Sequence, residues 1–344
     1  MIRLIPPAPS LCALALAALL GTHAAAAQQV TDRVRLAQTG MKFLNVAADP
    51  RAAALGGAVT SLEGGAEMLF TNPAGMAWMQ EGTSAVVSQT SWIADINHNH
   101  AGVALRPARG RYGVFGVSLN VVDYGEMQET IFADTEQGYV DVGTFQPTAL
   151  AIGVGYARAL SDRFSAGGHV KYASQNFGSP VLRRGADGEL ERGSAQAGVL
   201  AYDFGVHYKT PFRSLTFAVG ARNFASEVTL AEESFQLPIT LNIGVSMNVV
   251  DLTSLDPSMH RLLVSADAAN NRDYPEQLRL GGEYTFMNTF ALRGGYAFPS
   301  DEEGVTLGAG LRQRLGGVGF GADYAYTDFG VFSAVHRIAV RFSL

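Results

Sequence analysis

Large apolar residues alternate with small or polar residues along most of this chain. A period of two is that of a β-strand, in which successive side chains point to opposite faces. The face opposite the large residues holds Gly, Ala, Ser, Thr and Asn with scattered Arg and Asp, which is too little charge for an ordinary solvated surface. The pattern therefore predicts strands with one face against lipid and the other lining a narrow or filled lumen. One such stretch has large residues at Leu150, Ile152, Val154 and Tyr156.

The alternation recurs about fourteen times, and it predicts an all-β fold, a transmembrane antiparallel β-barrel over residues 83–344. A closed barrel satisfies its backbone hydrogen bonds without leaving a strand edge in lipid, which an open sheet cannot do. An even number of strands puts both ends of the barrel segment on the same side. The predicted strands lie near residues 84–93, 99–106, 112–122, 146–158, 163–175, 198–209, 213–223, 239–248, 261–269, 276–286, 289–297, 304–314, 317–327 and 333–344.

The last nine residues have the alternation expected of the closing strand of an outer-membrane barrel. Ile338, Val340, Phe342 and Leu344 share one face of this strand. We expect outer-membrane lipid to contact that face and the barrel assembly machinery to recognise the strand. The expected location is the outer membrane of a Gram-negative bacterium.

The predicted links alternate in length. Long links at 123–145, 176–197 and 224–238 would be extracellular loops, and short links at 107–111, 159–162, 210–212 and 287–288 would be periplasmic turns. The link at 249–260 breaks the rule, so one hairpin could be miscounted. Tyrosines near strand ends predict an aromatic girdle: Tyr156, Tyr172, Tyr208, Tyr284, Tyr296 and Tyr326.

Residues 1–27 have the layout of a cleaved secretory signal peptide. Arg3 precedes an apolar run from Leu11 to Leu20, and Ala27 is the expected cleavage position. The single cysteine, Cys12, would be removed, so no disulfide framework is expected. Acidic residues outnumber basic ones by 31 to 25, and nothing favours binding to nucleic acid.

The segment before the barrel predicts short helices rather than strands. Asp49-Pro50 and Asn72-Pro73 each place a capping side chain before a proline suited to the first helical position. Gly56-Gly57 and Gly75 would end or shorten these helices. We expect residues 28–82 to enter the lumen as a hatch. The residues given a structural or gating role are Asp49, Pro50, Arg51, Asn72, Pro73, Ala74 and Gly75.

The run from Gly40 to Ala77 resembles the N-terminal region of PorV/PorQ-type proteins, and its Asn72-Pro73-Ala74-Gly75 resembles the hatch of FadL-type channels. Both resemblances imply a fourteen-stranded barrel plugged by its N-terminus. The first implies a non-enzymatic component of type IX-type secretion or surface attachment, with secreted cargo and attachment components as partners. The second implies a channel for hydrophobic small molecules. A lateral opening for such molecules would need a kinked strand and an apolar pocket beneath the hatch, whereas a shuttle would need an extracellular protein-binding surface.

Charged residues are scarce on the predicted lumen face, and they have two interpretations. They could form a selectivity lining, or they could anchor the hatch by pairing with Asp49, Arg51, Glu63 and Glu67, which we favour. The lumen residues are Arg222, Arg279, Arg293, Arg312, Arg337 and Arg341, with Asp203, Asp267, Glu283 and Asp323.

Other candidate chemistry is weak in the sequence. His98 and His100 share a strand face and could be half of a metal site, but a polar loop tip is the favoured interpretation. Asp301-Glu302-Glu303 could hold calcium, although a solvated turn is favoured. The glycines of 316–321 lack the spacing of a nucleotide-binding loop, and no nucleophile-elbow motif is present. We predict no metal site, no cofactor and no enzymatic activity.

Overall fold

A computed structural model describes residues 39–184, 189–230, 233–300 and 303–344. The signal peptide and residues 28–38 of the expected hatch lie outside the described residues, as do Asp301 and Glu302 of the candidate calcium turn. Within the described ranges the chain forms twenty strands: β1 Thr83–Ser91, β2 Asn97–Leu105, β3 Val114–Asp123, β4 Met127–Phe132, β5 Tyr139–Phe145, β6 Thr148–Ala159, β7 Phe164–Asn176, β8 Val181–Arg184, β9 Leu190–Arg192, β10 Gln196–Lys209, β11 Thr216–Ala225, β12 Val228–Leu230, β13 Glu233–Phe235, β14 Thr240–Asn248, β15 His260–Asn271, β16 Gln277–Phe286, β17 Phe290–Phe298, β18 Thr306–Leu315, β19 Val318–Asp328 and β20 Ala334–Ser343.

Fourteen of these strands form a closed antiparallel barrel, which confirms the predicted fold class. Its order is β1-β2-β3-β6-β7-β10-β11-β14-β15-β16-β17-β18-β19-β20, and β20 closes it by pairing with β1. The predicted strands match the observed ones to within a few residues because each barrel strand must keep its alternation to separate lipid from lumen. Ile338, Val340 and Phe342 of β20 point outward and are exposed, as the sequence predicted.

The other six strands form three hairpins: β4–β5, β8–β9 and β12–β13. They lie within the three long links, which the sequence had assigned to loops, and we call their end of the barrel the long-loop end. The opposite end, the short-turn end, holds connections at 106–113, 160–163, 210–215, 249–259, 287–289 and 316–317. The long connection before β15 contains a 3-10 helix, Val249–Leu252, so no hairpin was miscounted.

The outward face of the barrel is apolar around its circumference, with large exposed residues such as Phe204, Ile243 and Leu292. Five of the six expected girdle tyrosines are exposed on this face, and Tyr326 is half-buried against His336. An apolar outer band with aromatic residues near its edges suits a barrel surrounded by lipid. No helix in the described part of the chain is long and apolar enough to cross a membrane.

The segment from 39 to 82, called the plug below, contains one α-helix, Pro50–Ala54, and 3-10 helices at Lys42–Asn45, Ala66–Phe70 and Pro73–Trp78. Asp49 and Asn72 cap two of these helices, as predicted, by accepting hydrogen bonds from the backbone N–H groups of Arg51 and Ala74. Gly56 and Gly57 follow the α-helix at φ 61° and 76°. Glycine accepts this left-handed conformation at little cost. The remaining 3-10 helices are Ile93–Asp95, Pro107–Gly110 and Gly330–Phe332.

Candidate functional site: the plugged lumen

The plug lies against inward-facing residues of strands on all sides of the barrel. Glycines of the wall let the plug backbone approach closely: a Cβ at Gly295 would collide with the backbone of Leu55 and Gly56. A Cβ at Gly205 would collide with the Asn72 side chain. The small residues that marked the predicted lumen face are therefore needed to seat the plug. The division into a 28–82 hatch and an 83–344 barrel otherwise stays a prediction.

Asn72 fixes the Asn72-Pro73-Ala74-Gly75 turn against the wall. Its side-chain oxygen accepts from the backbone N–H of Ala74 at 3.1 Å, and its Nδ2 donates to the carbonyl of Thr60 at 2.8 Å. On the wall side, Ser165 Oγ donates to the carbonyl of Ala74 at 3.0 Å, and His207 Nε2 bonds the carbonyl of Thr60 at 3.0 Å. The turn is therefore held by both its own cap and the strands around it.

A buried ion-pair network links the plug to the wall. Arg51 donates from Nε and Nη2 to the two oxygens of Glu283, both at 2.8 Å. Arg293 donates to Glu283 at 2.6 Å and to Asp323 at 2.6 Å. Paired charges with bidentate geometry are among the strongest polar contacts in a water-poor interior. The network thus joins the plug to β16, β17 and β19.

Arg341 of β20 extends this network to two plug carboxylates. Its guanidinium contacts Asp49, donates to Glu67 at 3.2 Å and lies 3.0 Å from Asp323. Three of the four plug residues expected to pair with lumen charges therefore do so. The fourth, Glu63, pairs instead with Lys209 at 2.8 Å. These contacts support the interpretation in which the lumen charges anchor the plug.

The remaining predicted lumen residues all face inward and differ in role. Arg222 donates to the carbonyl of Leu44 at 2.8 Å, and Asp267 accepts from the backbone N–H groups of Val59 and Thr60 at 3.0 and 2.9 Å. Both therefore hold the plug. Arg279 donates to Gln277 of its own strand at 3.0 Å. Arg312 lines the cavity at the short-turn end.

Arg337 lies in a separate polar cluster in the half of the lumen near the long-loop end. It is buried, donates to Thr327 Oγ1 at 2.7 Å and sits over the Trp92 ring at 5.4 Å. His98 and His100 lie in this half of the lumen with their rings stacked at 6.2 Å. The expectation of a polar loop tip was wrong for them, because both belong to β2 and even-numbered positions there point inward. Among the described residues, no group of three or more His, Cys, Asp or Glu side chains could hold a metal ion.

A hydrogen-bonded chain of Ser118, His169 and Asp203 was not found from the sequence. Ser118 Oγ lies 2.8 Å from His169 Nε2, and His169 Nδ1 lies 2.9 Å from Asp203 Oδ2. These contacts resemble those of a hydrolase triad. However, Ser118 is buried, and Asp203 is also paired with Lys171 at 2.7 Å. The arrangement connects three strands of the wall. The sequence shows only that each of these residues lies at an inward-facing position of its strand.

Two cavities open at opposite ends of the lumen. The cavity at the long-loop end has a volume of about 520 Å³ and includes Phe177, Ala197, Leu230 and Phe235 in its lining. It adjoins an apolar cluster that contains Phe43, Leu44 and Leu237. The cavity at the short-turn end has a volume of about 930 Å³ and is more polar, with Arg51, Glu67, Arg312 and Arg341 in its lining.

The ladder of the barrel is irregular beside the apolar cluster. The register of β10 and β11 shifts between Tyr202 and Phe204, and Asn223 there has a φ of 62°. Asn223 is fully buried and donates from its side chain to the carbonyl of Pro238 at 3.0 Å. The register shift therefore lies beside the apolar cluster, and a lateral opening, which would need a kinked strand and an apolar pocket beneath the hatch, stays a prediction.

No protein-family model matches the chain, and no curated protein matches it in sequence. Several solved structures match it along nearly their full length. The toluene transporter TodX of Pseudomonas putida matches with a TM-score of 0.59 and 12% identity over 86% of this chain and 97% of that chain. The toluene transporter TbuX of Ralstonia pickettii matches with a TM-score of 0.56 and 14% identity over 85% and 96%. The chain shares their fold.

A third match is the monoaromatic hydrocarbon channel CymD, with a TM-score of 0.52 and 13% identity over 87% of this chain and 97% of that chain. At these identities the similarity establishes the architecture, a fourteen-stranded barrel of the outer-membrane type. The FadL-like alternative agrees with these comparisons better than the PorV/PorQ interpretation, which they do not show.

Proposed function

We propose that this protein is an outer-membrane channel for hydrophobic small molecules. The observation that carries the proposal is the cavity at the long-loop end. Its wall combines the apolar side chains of Phe177, Leu230 and Phe235 with polar side chains that include Gln175 and Glu233. Its volume of about 520 Å³ lies within the range of small-molecule sites, which are mostly apolar with a few orienting polar groups. The shared fold of transporters and channels for toluene and monoaromatic hydrocarbons supports the same proposal.

The plug gives the proposed route its gate. The cavity at the long-loop end borders Thr39 and Gly40, at the start of the described plug, and the other cavity borders residues 61–65 and 78–81. A solute that enters the first cavity meets the apolar cluster around Phe43 and Leu44 before it meets the ion-pair network. Passage into the second cavity therefore requires the plug to shift. Burial of apolar solute surface in the first cavity would provide the affinity.

The type IX secretion interpretation stays a prediction from the resemblance of residues 40–77. It would need a protein-binding surface at the long-loop end, and no specific contact among the described residues favours one. Barrel assembly through the C-terminal strand and export with a signal peptide are likewise proposals, supported by the alternation of β20 and by the N-terminal sequence pattern.

Uptake of a hydrophobic solute by cells that produce variants of the protein tests the proposal. Ala197 faces inward and lines the cavity, whereas Leu200, three residues later on the same strand, faces outward. Ala197→Trp should therefore fill the cavity, and Leu200→Trp is a matched control on the lipid face. Cells with the wild-type protein should accumulate radiolabelled toluene faster than cells without it. Ala197→Trp should remove that advantage and Leu200→Trp should keep it.

Folded barrel in the outer-membrane fraction, measured by heat-modifiable migration, must be equal in both variants for this comparison. If wild-type cells take up neither toluene nor a radiolabelled long-chain fatty acid faster than cells without the protein, the channel proposal is wrong. Co-purification of secreted proteins with a barrel that gives no uptake would favour the secretion interpretation instead.

A further inference from the structure

Three neighbouring connections at the short-turn end carry a set of exposed arginines. They join β2 to β3, β6 to β7 and β10 to β11, and these six strands are adjacent in the barrel. None of the arginines forms an ion pair with the described residues. We call this set the arginine arc: Arg109, Arg111, Arg163 and Arg213 of the connections, together with Arg158 at the end of β6.

The opposite side of the same end is different in charge. Its connections at 249–259, 287–289 and 316–317 contain no Lys or Arg, and they contribute the carboxylates of Asp251 and Asp256. Basic residues on that side, Arg261 and Arg314, lie at the ends of strands and line the cavity at the short-turn end. The connections of the arc hold one carboxylate, Asp162, so the positive charge is still concentrated on their half of the rim.

Each connection of the arc also exposes one large apolar side chain. Tyr112 is 57% exposed, Leu160 is 63% exposed and Phe212 is 56% exposed. The Arg111 guanidinium lies 5.8 Å from the centre of the Tyr112 ring, within the range of a cation–π contact. A single exposed apolar side chain is ordinary, but large apolar side chains that recur on neighbouring turns beside polar residues mark a contact surface. Their presence beside arginines indicates contact with a surface that is apolar and anionic at once.

The height of the arc on the barrel fits the edge of a bilayer. Phe115, Tyr156, Tyr208 and Phe217 are exposed on the outward face where the same strands approach the short-turn end. Aromatic side chains of this kind mark the level of the lipid headgroups. Arg158 lies on the same face as Tyr156 and two residues nearer the turn, roughly 7 Å further along the strand. That displacement brings its guanidinium to the level of the lipid phosphates.

We propose that the arginine arc binds the headgroups of anionic phospholipids in the leaflet that surrounds the short-turn end. Guanidinium groups bind phosphate oxygens through paired N–H donors. The tips of Tyr112, Leu160 and Phe212 would rest among the upper acyl carbons, while the arginines stay at the charged surface. A soluble acidic partner would account for the charge but not for the apolar tips. The proposal depends on the barrel lying in a membrane, and it is independent of the proposed solute.

Native mass spectrometry of the purified protein in a neutral detergent tests this assignment. Phosphatidylglycerol and phosphatidylcholine with identical acyl chains are added in equal amounts, and the lipids retained by the folded barrel are counted. A basic residue near a membrane surface favours an anionic headgroup by about fivefold. We expect the wild-type protein to retain phosphatidylglycerol with a preference of about that size or more.

The arc variant replaces one arginine in each connection, with Arg109→Gln, Arg163→Gln and Arg213→Gln. Its control, Arg261→Gln with Arg314→Gln, removes two positive charges from the opposite side of the same end. The arc variant should lose most of the preference, and the control should keep it. Both variants must show wild-type heat-modifiable migration, so that lost lipid is not the result of an unfolded barrel.

Four results would overturn the proposal. One is equal retention of the two lipids by the wild-type protein, and another is an arc variant whose preference is unchanged. The third is full displacement of the lipid by glycerophosphoglycerol, the soluble headgroup, at the same concentration, since this would make the arc a site for soluble anions. A preference lost equally in the control would likewise reject a localised site in favour of diffuse positive charge.

Discussion

Replacing Arg341 by Met should release the plug while leaving the barrel closed. Arg341 pairs with Asp49 and Glu67 of the plug and with Asp323 of the wall, and all four side chains are largely buried. Asp323 would keep Arg293 at 2.6 Å, whereas both plug carboxylates would lose their ion pair. Removing one partner of a buried ion pair costs about 3–5 kcal/mol. Each 1.4 kcal/mol is a factor of about ten, so the docked plug should become less favoured by roughly two to four orders of magnitude.

The strand ladders on either side of Arg341 are backbone hydrogen bonds, which the substitution does not touch. We therefore expect heat-modifiable migration like that of the wild-type protein. Hydrogen exchange measured by mass spectrometry should show faster exchange in residues 46–79 and unchanged exchange in the barrel strands. In planar bilayers, Arg341→Met should open more often or conduct more than the wild-type protein. Arg158→Met, at an exposed position on the outward face of β6, is the control and should behave like wild type.

A rescue variant separates this mechanism from a general loss of packing. Adding Asp49→Asn and Glu67→Gln to Arg341→Met removes the carboxylates that the arginine had neutralised. Amides are less costly to bury than unpaired carboxylates, so slow exchange of the plug should largely return. If Arg341→Met alone leaves the plug protected, or if the two amides restore nothing, the charge argument is refuted.

Three further predictions concern the closing strand, the plug turn and the orientation. Phe342→Asp places a carboxylate on the lipid face at a cost of about 2–4 kcal/mol at the midplane and less near an interface. The substitution should deplete folded barrel from outer-membrane fractions. Normal amounts of folded barrel would count against the assigned face. Asn72→Ala with Pro73→Gly removes a cap worth about 0.5–2 kcal/mol and should raise conductance of an intact barrel; unchanged conductance would show that the turn does not gate. A cysteine that replaces Asp134 should react with an impermeant maleimide on intact cells, and one that replaces Asn288 should not. The reverse pattern would show that the assigned orientation in the membrane is wrong.

The barrel could be predicted from the sequence because lipid and lumen impose opposite requirements on alternate residues of each strand. Leu150 to Tyr156 show this clearly, and β6 extends two or three residues beyond them on either side. The hairpins β4–β5, β8–β9 and β12–β13 were missed because they lie in the long links, where no lipid face enforces the alternation. The caps Asp49 and Asn72 were found because capping depends on neighbours in the chain.

The contacts inside the lumen were harder to predict. Parity placed Arg293, Arg341, Glu283 and Asp323 on the inner face, but the partners come from strands and plug segments far apart in the chain. Ser118, His169 and Asp203 illustrate the limit, since each lies on a different strand and the spacing between them has no regular period. His98 and His100 could have been placed correctly by extending the alternation of β2 through Asn97.

The ion pairs of the plug have a consequence for the order in which the protein is assembled. Glu283, the partner of Arg51, is synthesised 232 residues after it. Arg341, the partner of Asp49, is synthesised 292 residues after it. The plug is thus made first and receives these partners late, and contacts between residues so far apart in the chain carry a large loop-closure cost. Before β20 is in place, Asp49 and Glu67 lack their partner Arg341, and their carboxylates stay hydrated. Stable docking of the plug in the lumen is therefore coupled to the addition of the last strand. A barrel that lacks this strand also lacks the ion pairs that hold the plug.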